Sequence, residues 1–217
     1  MKLSNKVLSV SGIIGGILFM TANALVHIGS GMTGENPDTG WAGMPAYLCG
    51  ISEFLSVIGA VCLLMGFIGF YRMVCDSCGT KMQTLAMIPA VGIVGMPLFH
   101  GNINCIEPLI YKVLADHGNE NIYGDMDAAI SGSFAPVDLM ILVTFYLQII
   151  VLIYGVFSGR FGVKKYLIIF NPIIFLIFGA LLSNILPVEI SGIALGMRNL
   201  GEGLMYIIPF AYWKNKD

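Results

Sequence analysis

Six stretches of this chain are apolar for about the length a helix needs to cross a bilayer, and that feature limits the folds open to it. A crossing takes about 20 residues, because the hydrocarbon layer is ~30 Å thick and an α-helix rises about 1.5 Å per residue. The stretches are 7–28, 47–71, 82–99, 137–157, 166–186 and 193–212. Backbone amides cannot face lipid unpaired, and no run of alternating polarity long enough for a barrel strand is present, so the spans are helical. Composition points the same way. Charged residues make up 11% of the 217 positions and hydrophobic ones 57%, whereas a water-soluble domain carries roughly a quarter charged residues. The expected fold class is therefore all-α: a polytopic membrane protein with six transmembrane helices and one domain over residues 1–217, with no soluble module.

The basic residues orient the spans. Nine of the eleven, namely Lys2, Lys6, Arg72, Lys81, Arg160, Lys164, Lys165, Lys214 and Lys216, fall on one side of the predicted layout. Positive charge marks the cytoplasmic side, which puts both termini inside a cell (plasma or inner) membrane. Glu35, Asp38, Asp116, Glu120, Asp125 and Asp127 fall on the other side. Lys2, Lys6, an apolar run and Ala22-Asn23-Ala24 would also suit a cleaved signal peptide. The run from Val7 is longer than such a leader's apolar core, so the first helix is expected to stay. A net charge of −2 excludes the basic balance of a nucleic-acid binder, and five cysteines do not make a disulfide framework at this length.

Two outer connections exceed a tight turn. Residues 30–46 are rich in Gly, Pro and Asp and hold Trp41, an expected interface anchor. Residues 101–136 begin with apolar residues at helical spacing from Ile106 to Leu114, followed by an acidic part, 116–133, expected to be a solvated connection. The pairs Gly12/Gly16, Gly155/Gly159 and Gly192/Gly196 have the spacing that lets helix backbones approach closely. Packing within the bundle is their expected role, with an oligomer left open.

Ionisable residues inside a membrane are costly and face a bundle interior or a cavity. In the predicted layout they gather in the outer half: Asn23 and His27 in span one, Glu53 in span two, His100, Asn104 and Glu107 at and beyond the end of span three. Asp138 opens span four, and Arg198, Asn199 and Glu202 lie in span six. One outward-facing polar pocket binding a small or lipid-like amphiphile is the expectation that follows. His27 and His100 would act as bases or ligands, Glu53 and Glu202 as their carboxylate partners, and Arg198 as anion clamp. Asn199, Asn104, Glu107, Asp138 and Asn23 would complete the binding set. The same atoms admit a divalent metal, although no HExxH-type spacing fixes one. A proton-coupled carrier would use such a network too, and a non-catalytic protein could bind a partner through its outer loops. The plainest alternative is that Arg198 neutralises Glu202 or Glu53 and the histidines satisfy helix ends. Cys75-Asp76-Ser77-Cys78 is a single C-x2-C with no second pair to complete a metal site.

Gly15-Gly16-Ile17-Leu18-Phe19-Met20, the long connection after span one, and Gly66-Phe67-Ile68-Gly69-Phe70-Tyr71-Arg72 closing span two resemble small bacterial six-span proteins classed only as domains of unknown function. The resemblance implies a bacterial cell-membrane protein and carries over no site residues.

Overall fold

The computed structural model describes residues 3–27, 39–101, 105–187 and 192–216, and within them the chain forms helices and turns without strands. Three helices are long and apolar enough to cross a membrane. They are α1 (Asn5–His27), α3 (Tyr47–Ser77) and α7 (Tyr123–Phe157). The short α2 (Thr39–Ala42) precedes α3, and the part of the 30–46 connection before it lies outside the described residues.

The stretches 82–99, 166–186 and 193–212 are each divided, and a proline accounts for every division. Proline lacks the N–H that would close a helical turn onto the carbonyl four residues back. The first becomes α4 (Thr80–Met87) and α5 (Pro89–Gly101), meeting at Pro89. Ile88 between them keeps helical dihedrals, φ −57° and ψ −40°, so the axis runs on. The last becomes α9 (Gly192–Leu204) and α10 (Ile207–Lys214). Pro209 leaves the Met205 carbonyl without its usual donor, and Ile208 N–H takes it at 3.1 Å in a tighter turn. The fifth stretch breaks more fully, because a residue before proline is pushed out of the helical region. Asn171 is extended at φ −88° and ψ 133°, separating a 3₁₀ helix (Lys165–Phe170) from α8 (Pro172–Ser183). Its side-chain oxygen then caps α8 by accepting from Ile173 N–H at 2.9 Å.

Residues 101–136 hold more helix than the sequence pattern suggests. Glu107–Asp116 forms α6, matching the apolar spacing seen there. The acidic part expected as a connection is helical from Tyr123 and continues through Pro136 into the apolar span as one 35-residue helix. Asp125 in the first turn favours the start of that helix by facing its positive end.

α1 lies along α3 on one side and α9 on the other, α8 flanks α9, and α5 sits between α3 and α7. Glycines set the closest approaches. A Cβ on Gly12 would meet the Tyr206 ring and the Gly66 backbone, and one on Gly16 would meet the Gly203 backbone. Gly155 makes room for the Phe161 ring, but Gly159 turns the chain at φ +75° and packs against nothing. That residue serves a turn rather than a helix contact. Large apolar side chains point outward along the helices, among them Ile17, Phe54, Val61, Val94, Ile150 and Ile177.

The interior has two apolar clusters. The larger joins Phe19, Leu63, Phe67, Phe70, Ile93 and Tyr206. The smaller joins Val26 at the end of α1, Trp41, Cys49 at the start of α3, and Tyr111 of α6, with Tyr123 at the start of α7 packed on it. Trp41 is buried in an aromatic cluster, its ring centroid 6.2 Å from Tyr111 and 6.4 Å from Tyr123. At the opposite end, Asp76 of α3, Arg160 after α7 and Lys216 after α10 border one pocket. The Trp41 end of the bundle is its acidic end and the Arg160 end its basic one.

Candidate functional site

The expected polar residues fall into a layer between the bundle centre and the acidic end. Arg198 and Glu202 are one turn apart on α9, and Arg198 Nε donates to Glu202 Oε1 at 3.2 Å. The guanidinium lies 5.0 Å from the Phe145 ring centroid on α7, and Glu202 is only 2% exposed. A buried carboxylate needs such a partner, since removing a charge from water costs several kcal/mol. Asn199 on the same helix is also buried. His100 of α5 packs its ring 4.3 Å from Phe19 of α1 and lies within electrostatic reach of Arg198 and His27. His27 is buried at the end of α1, 5.9 Å between ring centroids from Trp41. The structure thus brings α1, α5, α7 and α9 to one centre around Arg198.

Nearer the acidic end is a second group. Glu53 of α3 acts electrostatically on Cys105, while Asp127 and Asp138 of α7 act on Glu107 of α6. Burial pushes the Glu107 carboxyl above the usual carboxylate range, and the charges of Asp127 and Asp138 push it the same way. Asp138, expected at the start of the fourth apolar stretch, has a full helical segment before it. It is well inside α7, because that helix begins at Tyr123. Tyr111 stands T-shaped to Tyr123 at 5.0 Å, and Lys112 Nζ donates to the Ala42 carbonyl at 3.0 Å, fixing α6 to α2. Asn104 lies outside the described residues.

Several buried polar atoms of this layer have no hydrogen-bond partner among the described residues. They are Asn23 Oδ1, Glu53 Oε2, Asp138 Oδ1, Asn199 Nδ2 and Glu202 Oε2, together with Trp41 Nε1. Native interiors leave few such atoms, because each costs about 1–3 kcal/mol unless water or a ligand meets it. Beside Glu202 is a cavity of about 20 Å³ lined also by Gln148, Phe145 and Tyr206, room for about one water. Gln148 Nε2 donates to the Tyr206 hydroxyl at 3.3 Å, a polar contact at the bundle centre. Sequence position alone did not single out Tyr206. A tyrosine midway along an apolar span was the available signal. Among the described residues no three His, Cys, Asp or Glu side chains come close enough to hold a metal ion.

Other polar residues have local duties. Ser52 donates to the Ala22 carbonyl at 2.8 Å and ties α3 to α1, and Ser56 donates back to Ser52. Ser183 and Asn184 both bond the Ala180 carbonyl at the end of α8. Cys75 and Cys78 carry free thiols at the end of α3.

No curated protein and no solved structure matches this chain. A family of unknown function, DUF6796, matches residues 1–216. The chain belongs to that family, whose match takes in every described helix.

Proposed function

We propose that this is an integral cell-membrane protein crossing the bilayer six times with both termini cytoplasmic, whose buried polar layer binds a small or lipid-like amphiphile from the outer side. Support for six crossings comes from the lengths. α4 with α5 covers 80–101, and α9 with α10 covers 192–214, each about 33–35 Å of nearly continuous helix. α8 reaches about 18 Å, and its preceding 3₁₀ helix adds about 12 Å. Support for the orientation comes from exposed Arg72, Lys81, Arg160, Lys164, Lys165, Lys214 and Lys216 on the connections assigned to one side.

The observation that carries the binding reading is the set of unpartnered buried atoms on α1, α3, α7 and α9. Four are oxygens and one is an amide nitrogen, a demand that one ligand bearing hydroxyl or amine donors and an acceptor would meet. Arg198 keeps its terminal nitrogens for an anionic group while Nε holds Glu202. His100 and His27 provide acid–base capacity beside it, with Glu53, Asp138, Asn23, Asn199 and Glu107 lining the approach. Extraction of the detergent-purified protein followed by mass spectrometry should recover one amphiphile class in near-stoichiometric amount. Arg198→Leu and Glu202→Gln should lose it with helicity intact. Equal recovery from both variants, or none from the parent, rejects the reading.

A proton-coupled carrier is the second reading, favoured by the polar run through the bundle centre. The cavity beside Glu202 and a neighbouring one of about 10 Å³ at Thr144 share Gln148. Uptake of an amphiphile into proteoliposomes driven by a pH gradient, abolished in Glu202→Gln, would select it over simple binding.

A further inference from the structure

The basic end has two open pockets that share one side chain. One, of about 330 Å³, is bordered by Arg160, Asp76, Tyr212 and Lys216. Here the charge is largely spoken for, since Lys216 and Tyr212 both hold the Asp76 carboxylate. The other, of about 420 Å³, is bordered by Arg160 together with Lys81, Thr80, Met82 and Tyr154. No acidic side chain lines it. Among the described residues neither Arg160 nor Lys81 has an ion-pair partner. The Arg160 guanidinium lies over the Tyr154 ring, 5.7 Å from its centroid, within cation–π reach. Two uncompensated cations face one cleft.

The surface leading into that cleft is apolar. Ile150, Tyr154 and Phe157 follow one another at helical spacing on α7 and are 59%, 41% and 53% exposed. Leu85 and Ile88, on α4 and just after it, are 41% and 40% exposed, and α4 packs against α7. A phosphate at Arg160 and Lys81 would therefore have an apolar stripe running from it toward the bundle centre, with Tyr154 belonging to both. A free phosphate ion would use the cations and leave the stripe bare. A phospholipid uses both.

We propose that the cleft between Arg160 and Lys81 is a binding site for the headgroup of an anionic phospholipid, its acyl chains lying along Ile150, Tyr154 and Phe157. Arg160 offers two parallel N–H donors to the phosphate oxygens, and Lys81 adds a point charge from the facing wall. The site is separate from the polar layer around Arg198 and rests only on the membrane reading above. Hydrogen bonds to a charged group contribute about 1.5–3 kcal/mol, so losing the Arg160 and Lys81 contacts should weaken binding at least about tenfold, beyond any diffuse attraction.

The test reconstitutes the full chain into vesicles of phosphatidylcholine with and without phosphatidylglycerol. Lipid retained after detergent extraction is counted by native mass spectrometry, and melting is followed with each lipid and with inorganic phosphate. Phosphatidylglycerol should be retained preferentially and raise the melting temperature more than phosphatidylcholine or phosphate. Arg160→Ala/Lys81→Ala should abolish that preference, and Arg160→Lys should keep part of it. Lys164→Ala/Lys165→Ala removes the same charge from the same end outside the cleft and should retain the lipid. If this control loses as much lipid as the cleft variant, only diffuse attraction operates and the site is rejected. Stabilisation by phosphate equal to that by lipid would make it a free-anion site and also overturn the proposal. Equal retention of both lipids rejects the site while leaving the membrane reading intact, whereas failure to enter vesicles at all rejects both.

Discussion

Glu202 and Glu107 meet burial in different ways. Glu202 has a guanidinium one helical turn away and takes one hydrogen bond from it. Glu107 has acidic neighbours, Asp127 and Asp138, so burial and like charge both favour its protonated form. A group whose folded-state pKa is raised supports the fold fully below its unfolded value, and that support is lost as pH rises through the folded value. The unfolded value for this carboxyl is 4.5. Melting followed from pH 4.5 upward should therefore show a falling contribution from Glu107, and Glu107→Gln should flatten the fall. A variant whose profile parallels the parent's would show that Glu107 does not titrate in this window. Which carboxylates lie on spans was legible from the residue order. Their partners were not, because Arg198 could reach Glu202 or Glu53, and helix rotation decides between them.

At the level of elements, close backbone contact at glycines adds to the two apolar clusters in joining the helices, as expected where lipid competes for apolar side chains. A Cβ on Gly16 would fall against Gly203 of α9, so Gly16→Ala should destabilise the purified protein by about 1–3 kcal/mol. Gly132 is inside α7 with open space around it, and Gly132→Ala there should stabilise by about 0.5–1 kcal/mol. Opposite signs in thermal or denaturant unfolding would confirm a helix at 132 and a crossing at 16, and a neutral Gly16→Ala would disprove that crossing. The spacing of Gly12 and Gly16 announced close packing, whereas Gly155 and Gly159 show the limit of the pattern. One faces Phe161 and the other turns the chain. The helical start of α7 was hidden for a related reason. Acidic residues without apolar periodicity read as a connection, yet nothing from Tyr123 to Ala135 forbids helix, and Asp125 favours its beginning.

For the molecule as a whole, the alternation of basic and acidic connections states a topology that chemistry can check directly. Cys75 is exposed on the basic side. In intact cells a membrane-impermeant maleimide should leave it unlabelled and should reach it once the membrane is opened. A cysteine placed by Asp125→Cys should behave in the opposite way. Labelling of Cys75 from outside would invert the assigned orientation. Six apolar stretches are plain in the sequence, and the prolines that divide three of them are plain as well. How far each proline interrupts its helix depends on neighbours. Ile88 stays helical before Pro89, while Asn171 before Pro172 moves to extended backbone and finds a bond in capping α8.

Pro136 gives α7 a mechanical character as well as a chemical one. A continuous helix of 35 residues is about 52 Å of stiff rod, and a proline inside it removes one backbone bond and leaves a preferred bending point. That point falls between Asp127 and Asp138, the two charges that act on Glu107. Flexing of the rod there changes how far apart the two carboxylates sit. A bend at that point would widen the acidic rim and leave Gln148, further along the same helix, holding Tyr206.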